Sequence, residues 1–188
     1  MIDVAVQVSG EMDKLEPSTS TSLEIGTEVY FDAIKGMLNQ HNKNVQIVYV
    51  ASTVPAEAII NAMKMIGVDT SHVRFVDCIS SMMTGQHGSP ENVMLIESPT
   101  MLENIMLKVE FVRRKSAGKT VLVIIDSINT LHIHNDWKIM GEFLHIMVNG
   151  LRSRGAMILM LSINEQQTQE VATLLGLVSD KTIRFGGE

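Results

Sequence analysis

Apolar and polar positions follow two different rhythms along this chain, and the changes between them predict the order of its strands and helices. Three short runs are almost continuously apolar, Val45–Ala51, Thr120–Asp126 and Ala156–Ser162, and the first two are also rich in β-branched residues. Runs of this kind are typical of parallel strands that are buried on both faces. The shorter runs "HVRFVDC" (His72–Cys78) and "KTIRF" (Lys181–Phe185) predict two further strands.

Between these runs the apolar residues recur every three or four positions, which is the spacing of one buried helix face. The helices predicted on this basis are Thr53–Gly67, Ser98–Gly118, His134–Gly155 and Asn164–Gly176. Strands that alternate with helices of this size predict a three-layer α/β fold. Its central sheet should be mainly parallel and covered by helices on both faces.

The N-terminal region and one internal region have less regular patterns. Val4–Val8 has the composition of a short strand, and the polar stretch Ser9–Ser22 follows it. A helix is then predicted from the spacing of Leu23, Val29, Ile34 and Leu38. The hydroxyls of residues 18–22 are candidates for its N-cap or for regulatory phosphorylation, of which capping is the commoner role. Residues 79–97 predict a long loop with at most one short strand.

Length and charge exclude several classes of function. At 188 residues the chain has room for one domain, residues 1–188, whose core needs neither disulfides nor metal. A formal net charge of −6 argues against general nucleic-acid binding, which needs an excess of cations. Cys78 is the single cysteine, as is typical of a reducing compartment, and no apolar run approaches the ~20 residues that span a bilayer. We expect a cytoplasmic protein that binds neither nucleic acid nor membrane.

Candidate chemistry lies at the carboxyl end of the most apolar predicted strand, where ligands bind in parallel sheets. Asp126 and Ser127 fall at this position. A carboxylate there can hold Mg²⁺, usually through water, with the hydroxyl orienting it. Alternatively, Asp126 caps the following turn through its own backbone. The spacing leaves both interpretations open.

The letters "GKT" (Gly118–Thr120) match the tail of a phosphate-binding loop, but their context does not. The full motif needs glycine where Arg113 stands, and it must follow a strand and open a helix. Here "GKT" ends a predicted helix and enters a strand, so we interpret it as a false match. The small basic patch around it (Arg113, Arg114, Lys115 and Lys119) is explained more simply as a solvated helix end than as a phosphate or nucleic-acid site.

A metal site and a nucleophile receive little support. His132 and His134 lie two residues apart, near Asp136 and His145, a grouping that suggests zinc or iron. That spacing suits ligation from a strand, whereas this stretch is predicted to be a loop. Cys78 has no identifiable histidine partner, so nucleophilic catalysis is not expected.

Several longer stretches resemble the KaiC-like branch of the RecA-fold ATPases. "VLVIIDSINTL", "LRSRGAMILMLS" and "LLGLVSDKTIRF" are similar to its second half, and "VQIVYVASTVPAEAIINAMKMIGVD" is similar to its second strand and helix. The likeness covers roughly residues 45–185 and implies a RecA-like, P-loop NTPase-like fold. It also implies that Asp126 and Ser127 end the Walker B strand. Ser162 and Asn164 would end the strand that carries a polar sensor and would line the same cleft as Asp126.

The resemblance fails at three places that an active ATPase needs. Where the family has its phosphate loop, Ser9–Gly26 contains no G-K-[ST], and Lys14 is its only cation. Where the family has paired glutamates after its second strand, this chain has Ser52, Thr53 and Val54, whose hydroxyls cannot take a proton from water near neutral pH. The family also continues, beyond the point of "FGGE", into a hairpin whose basic residues reach a neighbouring subunit's phosphates.

These departures predict a degenerate RecA/KaiC-like domain, a pseudo-ATPase that regulates or binds another protein. A related intact ATPase or a second copy is the expected partner. No cofactor is expected, and Mg-ATP would bind weakly at most. The alternative is an unorthodox nucleotide-binding protein that holds ATP through Asp126, with Ser127, Ser162 and Asn164 nearby. A third hypothesis is an enzyme of unrelated chemistry on the same sheet.

Overall fold

The strands form one parallel sheet in a computed structural model that describes residues 3–39, 42–85 and 88–186. In chain order they are β1 (Ser20–Ile25), β2 (Val45–Ala51), β3 (Arg74–Asp77), β4 (Val93–Leu95), β5 (Thr120–Asp126), β6 (Met157–Ile163) and β7 (Lys181–Phe185). Side by side, their order is β4-β3-β2-β5-β6-β1-β7, and each neighbouring pair is parallel. All carboxyl ends therefore lie at the same edge of the sheet.

Helices cover both faces of this sheet. They are α1 (Val4–Met12), α2 (Tyr30–Leu38), α3 (Ala56–Met65), α4 (Ser80–Thr84), α5 (Leu102–Lys115), α6 (Ile128–His134), α7 (Trp137–Arg152) and α8 (Gln169–Val178). Helices α1, α2 and α3 pack on one face, and α5, α6, α7 and α8 pack on the other. The predicted three-layer α/β fold with a parallel central sheet is confirmed.

The strand β5 shows why its composition is almost entirely apolar. Leu122 and Ile124 point into the core beneath α1–α3, whereas Val123 and Ile125 point into the core beneath α5–α8. Because side chains alternate between the two faces of a strand, Asp126 lies on the same face as Ile124. This alternation decides what surrounds the carboxylate.

The prediction of a strand at Val4–Val8 is wrong, because this stretch forms the first part of α1. Asp3 caps the helix, its side chain accepting the amide N–H of Ala5 at 2.9 Å. Ala5, Val8 and Met12 are buried at spacings of three and four residues. That is a helical rhythm, but five residues are too few to distinguish it from the alternation of a strand.

The stretch predicted as a polar loop and helix start forms β1 instead. This strand lies between β6 and β7, and Ser20, Thr21 and Ser22 are buried in it. Neighbouring elements satisfy the two serine hydroxyls: Ser20 Oγ donates to the carbonyl oxygen of Val178 at 2.5 Å, and the hydroxyls of Ser22 and Thr182 lie 2.9 Å apart. Burial keeps these three hydroxyls away from a modifying enzyme, whereas Ser18 in the same run is exposed.

Other differences are local. The predicted loop at residues 79–97 contains α4 and β4, and its Gln86 and His87 lie outside the described residues. The stretch with His132 and His134 is the helix α6 rather than a loop. Gly118 follows α5 and Thr120 begins β5, so the interpretation of "GKT" as a helix end entering a strand is confirmed.

Within the described ranges, no helix combines the length and apolar character needed to cross a membrane.

The helices α1 and α2 approach each other so closely that Gly36 has no room for a side chain. A β-carbon there would lie 2.5 Å from the carbonyl oxygen of Ala5 and 2.7 Å from Cβ of Val8. We therefore expect Gly36→Ala to lower the free energy of unfolding by about 1–3 kcal/mol through overpacking. Urea unfolding followed by circular dichroism measures this change.

The matched control is Gly176→Ala in α8, where no atom lies within 4 Å of the added β-carbon. There, alanine should stabilise by up to about 1 kcal/mol because it favours the helix more than glycine does. An equal response at both positions would contradict the close packing of α1 on α2.

Candidate functional site

A buried carboxylate lies at the carboxyl ends of β2 and β5, surrounded by hydroxyl groups. Ala51 of β2 is paired with Asp126 of β5 in the sheet register. Asp126 is 0% exposed, and its side chain is on the face covered by α1–α3. The sheet thus places the carboxylate beneath the start of α2 and beside the end of β2.

Three hydroxyls donate hydrogen bonds to this carboxylate. The hydroxyls of Tyr30 and Tyr49 both reach Oδ2 at 2.5 Å, and Thr53 Oγ1 reaches Oδ1 at 2.9 Å. Tyr30 begins α2, whereas Tyr49 precedes Ala51 by two residues and therefore shares its face of the sheet. The sequence contains two tyrosines, and both are used on one oxygen atom.

Burial sets the protonation of the cluster. It raises the pKa of the Asp126 carboxyl above its ordinary value of 3.8, and the hydrogen bonds from Tyr30, Tyr49 and Thr53 oppose that change. Burial first, and the nearby Asp126 charge second, raise the pKa of both tyrosines. Both therefore remain phenols at neutral pH and act as donors.

Ser127 caps a helix and is tied into the same cluster. Its hydroxyl accepts the amide N–H of Thr130 at 3.2 Å, which makes Ser127 the N-cap of α6. Thr53 Oγ1 lies 3.3 Å from the same hydroxyl. Ser52 donates its amide and its hydroxyl to the Asp126 carbonyl oxygen, at 2.7 and 2.8 Å, and the Asp126–Ser127 peptide is cis. The turn expected after β5 is thus capped by Ser127 and not by Asp126.

The structure does not bring Ser162 to Asp126. Ser162 alternates with Leu161 and Ile163 and so lies on the face covered by α5–α8, opposite to the carboxylate. Its hydroxyl donates to Gln167 Oε1 at 2.6 Å, an atom that also accepts from Asn129 of α6. Asn164 is half-buried in the short 3₁₀ segment after β6, and its side chain forms no hydrogen bond with another described residue. Of the four predicted site residues, only Asp126 and Ser127 lie together.

The segment that corresponds to a phosphate loop lies later in the chain than the sequence indicated. Ser9–Gly26 was expected there, but it forms α1, a turn and β1. The connection from β1 to α2, residues 26–29, takes that position. In it, the amide N–H of Thr27 donates to both carboxylate oxygens of Glu165, at 3.1 and 3.2 Å.

A second carboxylate covers the same turn. The carboxylate of Glu28 lies over the α-carbons of Gly26 and Gly186, where a β-carbon at either glycine would collide with it. Oxygen atoms of Glu28 and Glu165 therefore lie against this turn. Carboxylates at this turn would repel a polyphosphate and attract a cation.

The histidine-rich stretch does not form a metal centre. No group of three or more histidine, cysteine, aspartate or glutamate side chains is arranged to hold a metal in the part of the chain that is described. His132 and His134 are both on α6, where two residues of separation turn the side chains by about 200° around the axis. His145 contacts Asn149 of its own helix instead.

No protein-family model and no curated protein sequence matches this chain. Solved structures match its fold. The uncharacterized protein PH0321 from Pyrococcus horikoshii, solved in complex with an unknown peptide, has a TM-score of 0.70 at 12% identity, over 95% of this chain and 81% of that one. The protein PH0250 from Pyrococcus horikoshii OT3 has a TM-score of 0.63 at 13% identity, over 95% and 87%.

A third similar structure is the flagellar accessory protein FlaH from Methanocaldococcus jannaschii. It has a TM-score of 0.57 at 14% identity, covering 95% of this chain and 80% of FlaH. Identities this low establish the fold and not the activity. The chain therefore has a three-layer RecA-like fold, whose function must be argued from its own residues.

The hydroxyl cluster predicts how two substitutions of Asp126 differ. In Asp126→Asn the amide oxygen can still accept from both tyrosines while the amide nitrogen donates to Thr53, so we expect a change in unfolding free energy below about 1 kcal/mol. Asp126→Leu leaves the buried hydroxyls of Tyr30 and Tyr49 without this acceptor, whereas Thr53 keeps Ser127 and Thr130 as partners, and the change should cost about 2–5 kcal/mol. Urea unfolding of both variants at neutral pH measures the difference.

The difference in unfolding free energy between the wild type and Asp126→Asn should change with pH, and the direction of that change follows from the pKa of Asp126. Because folding raises the pKa of Asp126 above 3.8, the folded wild type binds this proton more tightly than the unfolded chain does. The wild type should therefore lose stability relative to Asp126→Asn as the pH rises from below 3.8 through the folded pKa. A difference that stays constant from about pH 3 to pH 8 would contradict this environment for the carboxylate.

Proposed function

We propose that this chain is a non-catalytic RecA/KaiC-like domain that acts as a regulatory or protein-interaction module. Its expected partner is a related intact ATPase or a second copy of the chain. The observation that carries the proposal is the closed environment of Asp126. Its carboxylate accepts hydrogen bonds from the hydroxyls of Tyr30, Tyr49 and Thr53. We further propose a cytoplasmic location, since Cys78 is buried and unpaired.

The residues around Asp126 do not fit Mg²⁺. A magnesium ion needs near-octahedral oxygen ligation and usually keeps several waters, which requires carboxylate oxygens that solvent can reach. Asp126 is 0% exposed, and both of its carboxylate oxygens already accept hydrogen bonds. Binding a metal would require Tyr30 or Thr53 to be displaced first. This supports a chain that needs no Mg-nucleotide cofactor.

The turn before α2 does not fit a triphosphate either. Phosphate sites on such turns use free backbone amides and a lysine to balance several negative charges. Here the amide of Thr27 is bonded to Glu165, and the Glu28 carboxylate occupies the turn. The first cation that follows in the sequence is Lys35, in the last turn of α2. Nucleotide binding at this place would bring like charges together.

The position of the missing general base is also occupied. Ser52 and Thr53 follow β2 where the KaiC-like family has glutamates, and their hydroxyls are bonded to the carbonyl and carboxylate oxygens of Asp126. A hydroxyl used in this way neither positions nor deprotonates an attacking water. Loss of the base and loss of the phosphate site are separate changes, and both favour a protein without ATP hydrolysis.

Support for an interaction role comes from the surface and from one similar fold. Leu107 of α5 and Ile146 of α7 are 66% and 59% exposed, so apolar side chains remain available on the outer helices. PH0321, which shares the fold, was solved with a bound peptide. We infer that a framework of this shape can serve as a docking surface after its nucleotide chemistry is lost.

The absence of nucleotide chemistry is tested by calorimetry and by phosphate release. We expect no saturable heat from Mg-ATP up to about 1 mM and no magnesium-dependent hydrolysis. Asp126→Asn should behave as the wild type does in both assays, since there is no activity to lose. Micromolar binding that this substitution abolishes would refute the proposal and establish the alternative, a nucleotide-binding protein.

The interaction role is tested by the state of the purified protein. Light scattering on the recombinant chain should show a dimer, or purification from the native cell should recover one partner in a fixed ratio that survives about 0.5 M salt. A chain that remains monomeric and recovers no partner by native purification would contradict the module we propose.

A further inference from the structure

A polar pocket of about 390 Å³ lies at the edge of the sheet opposite to Asp126. Two turns form it, one from α5 to β5 and one from α7 to β6. Arg113, Lys119 and Arg154 line it, together with the glycines of the two turns, Gly118 and Gly155. Three cations thus converge on one concavity in a chain whose formal net charge is −6.

Arg113 is held rigidly at the base of this pocket. Its guanidinium donates to both carboxylate oxygens of Glu110, at 2.8 and 2.7 Å. This bond, above all, lowers the pKa of Glu110 to about 2, so the glutamate stays charged and keeps the arginine in place. Arg154 Nη1 donates to the carbonyl oxygen of Gly150 at 2.7 Å, and its Nε lies 4.0 Å from Glu110 Oε1 in a long ion pair, while its side chain is 48% exposed.

Lys119 is the cation that the fold leaves uncommitted. No acidic group among the described residues lies within ion-pair distance of its ammonium. In the same turn, the amides of Ala117 and Gly118 make no hydrogen bond to another described residue. These exposed donors and the lysine belong to one short segment.

The two glycines keep the pocket open. Gly118 and Gly155 have φ of +85° and +79°, and no atom lies within 4 Å of the place where their side chains would be. Cations at a helix end ordinarily compensate the negative end of its dipole, and this explains Arg113. The helix dipole does not explain why Lys119 and Arg154 line the same pocket, because Lys119 lies beyond the end of α5 and Arg154 follows α7.

We propose that this pocket binds the phosphate group of a small phosphorylated molecule through Lys119, Arg154 and the turn amides, with Arg113 fixed behind them. Lys119, which has no acidic partner among the described residues, and Arg154, whose ion pair with Glu110 is 4.0 Å long, together match a phosphate dianion better than a singly charged carboxylate. The pocket volume suits one small molecule. This site lies on the opposite edge from Asp126, so it does not depend on the function proposed above.

The test is an amide-resolved NMR titration of the ¹⁵N-labelled full chain with inorganic phosphate and with glycerol phosphate, at constant ionic strength. Both probes should give saturable shifts at residues 116–120 and 154–156, with Kd of the order of 1 mM. Residues around Asp126 should not move. Shifts that never saturate, or that centre on residues 26–30, would overturn the site.

Variants identify the contacts. Lys119→Gln and Arg154→Gln should each weaken binding of both probes about tenfold. Lys138→Gln, at the start of α7 near the other edge, is the matched control and should bind as the wild type does. All three side chains are exposed, and a circular dichroism spectrum verifies that each variant is folded. Unchanged affinity in Lys119→Gln, or binding of inorganic phosphate without glycerol phosphate, would refute a site for phosphorylated molecules.

Discussion

The buried carboxyl group of Asp126 is the constraint around which this fold is arranged. A carboxylate without solvent is costly unless hydrogen-bond donors surround it, and here the donors come from three different parts of the chain. Tyr30 fixes the start of α2, Tyr49 is held within β2, and Thr53 determines how the chain leaves that strand. In an ATPase of this fold the same position would face a metal and solvent. In this chain it joins β5, β2 and α2 into one unit.

The enclosed carboxyl group of Asp126 and the charges at the two edges of the sheet are consistent with the non-catalytic function proposed above. The turn after β1 is in contact with the carboxylates of Glu28 and Glu165. Cations are absent from that turn and gather instead at the other edge, where α5 and α7 end. Two glutamates thus lie beside the β1–α2 turn, whereas Arg113, Lys119 and Arg154, with Glu110 as their one paired carboxylate, lie beside the α5–β5 turn. A ligand with phosphate would meet repulsion at the first place and attraction at the second.

The sequence predicted those elements whose composition is decided by burial alone. The bounds of β2 and β5 were predicted correctly because central strands covered on both faces must be apolar throughout. The strand β1 was missed because the hydroxyls of Ser20 and Ser22 find hydrogen-bond partners in α8 and β7, information that no local pattern contains. Asp126 was predicted as a site residue because it ends the most apolar strand, but its two tyrosine partners were not predicted. The alternation of side chains in β2 could have placed Tyr49 beside it, whereas Tyr30 depends on the packing of α2.

The position of β1 also constrains how the chain can fold. This strand is near the N-terminus, yet it pairs with β6 and β7, and Ser20 is bonded to Asp180, 160 positions later in the chain. During synthesis both of its edges stay unpaired until β6 and β7 have left the ribosome. Contacts so distant in sequence close slowly, and an exposed strand is a site of aggregation in the meantime. The serines and threonine in β1 make the unpaired strand less prone to aggregation than an all-aliphatic strand would be.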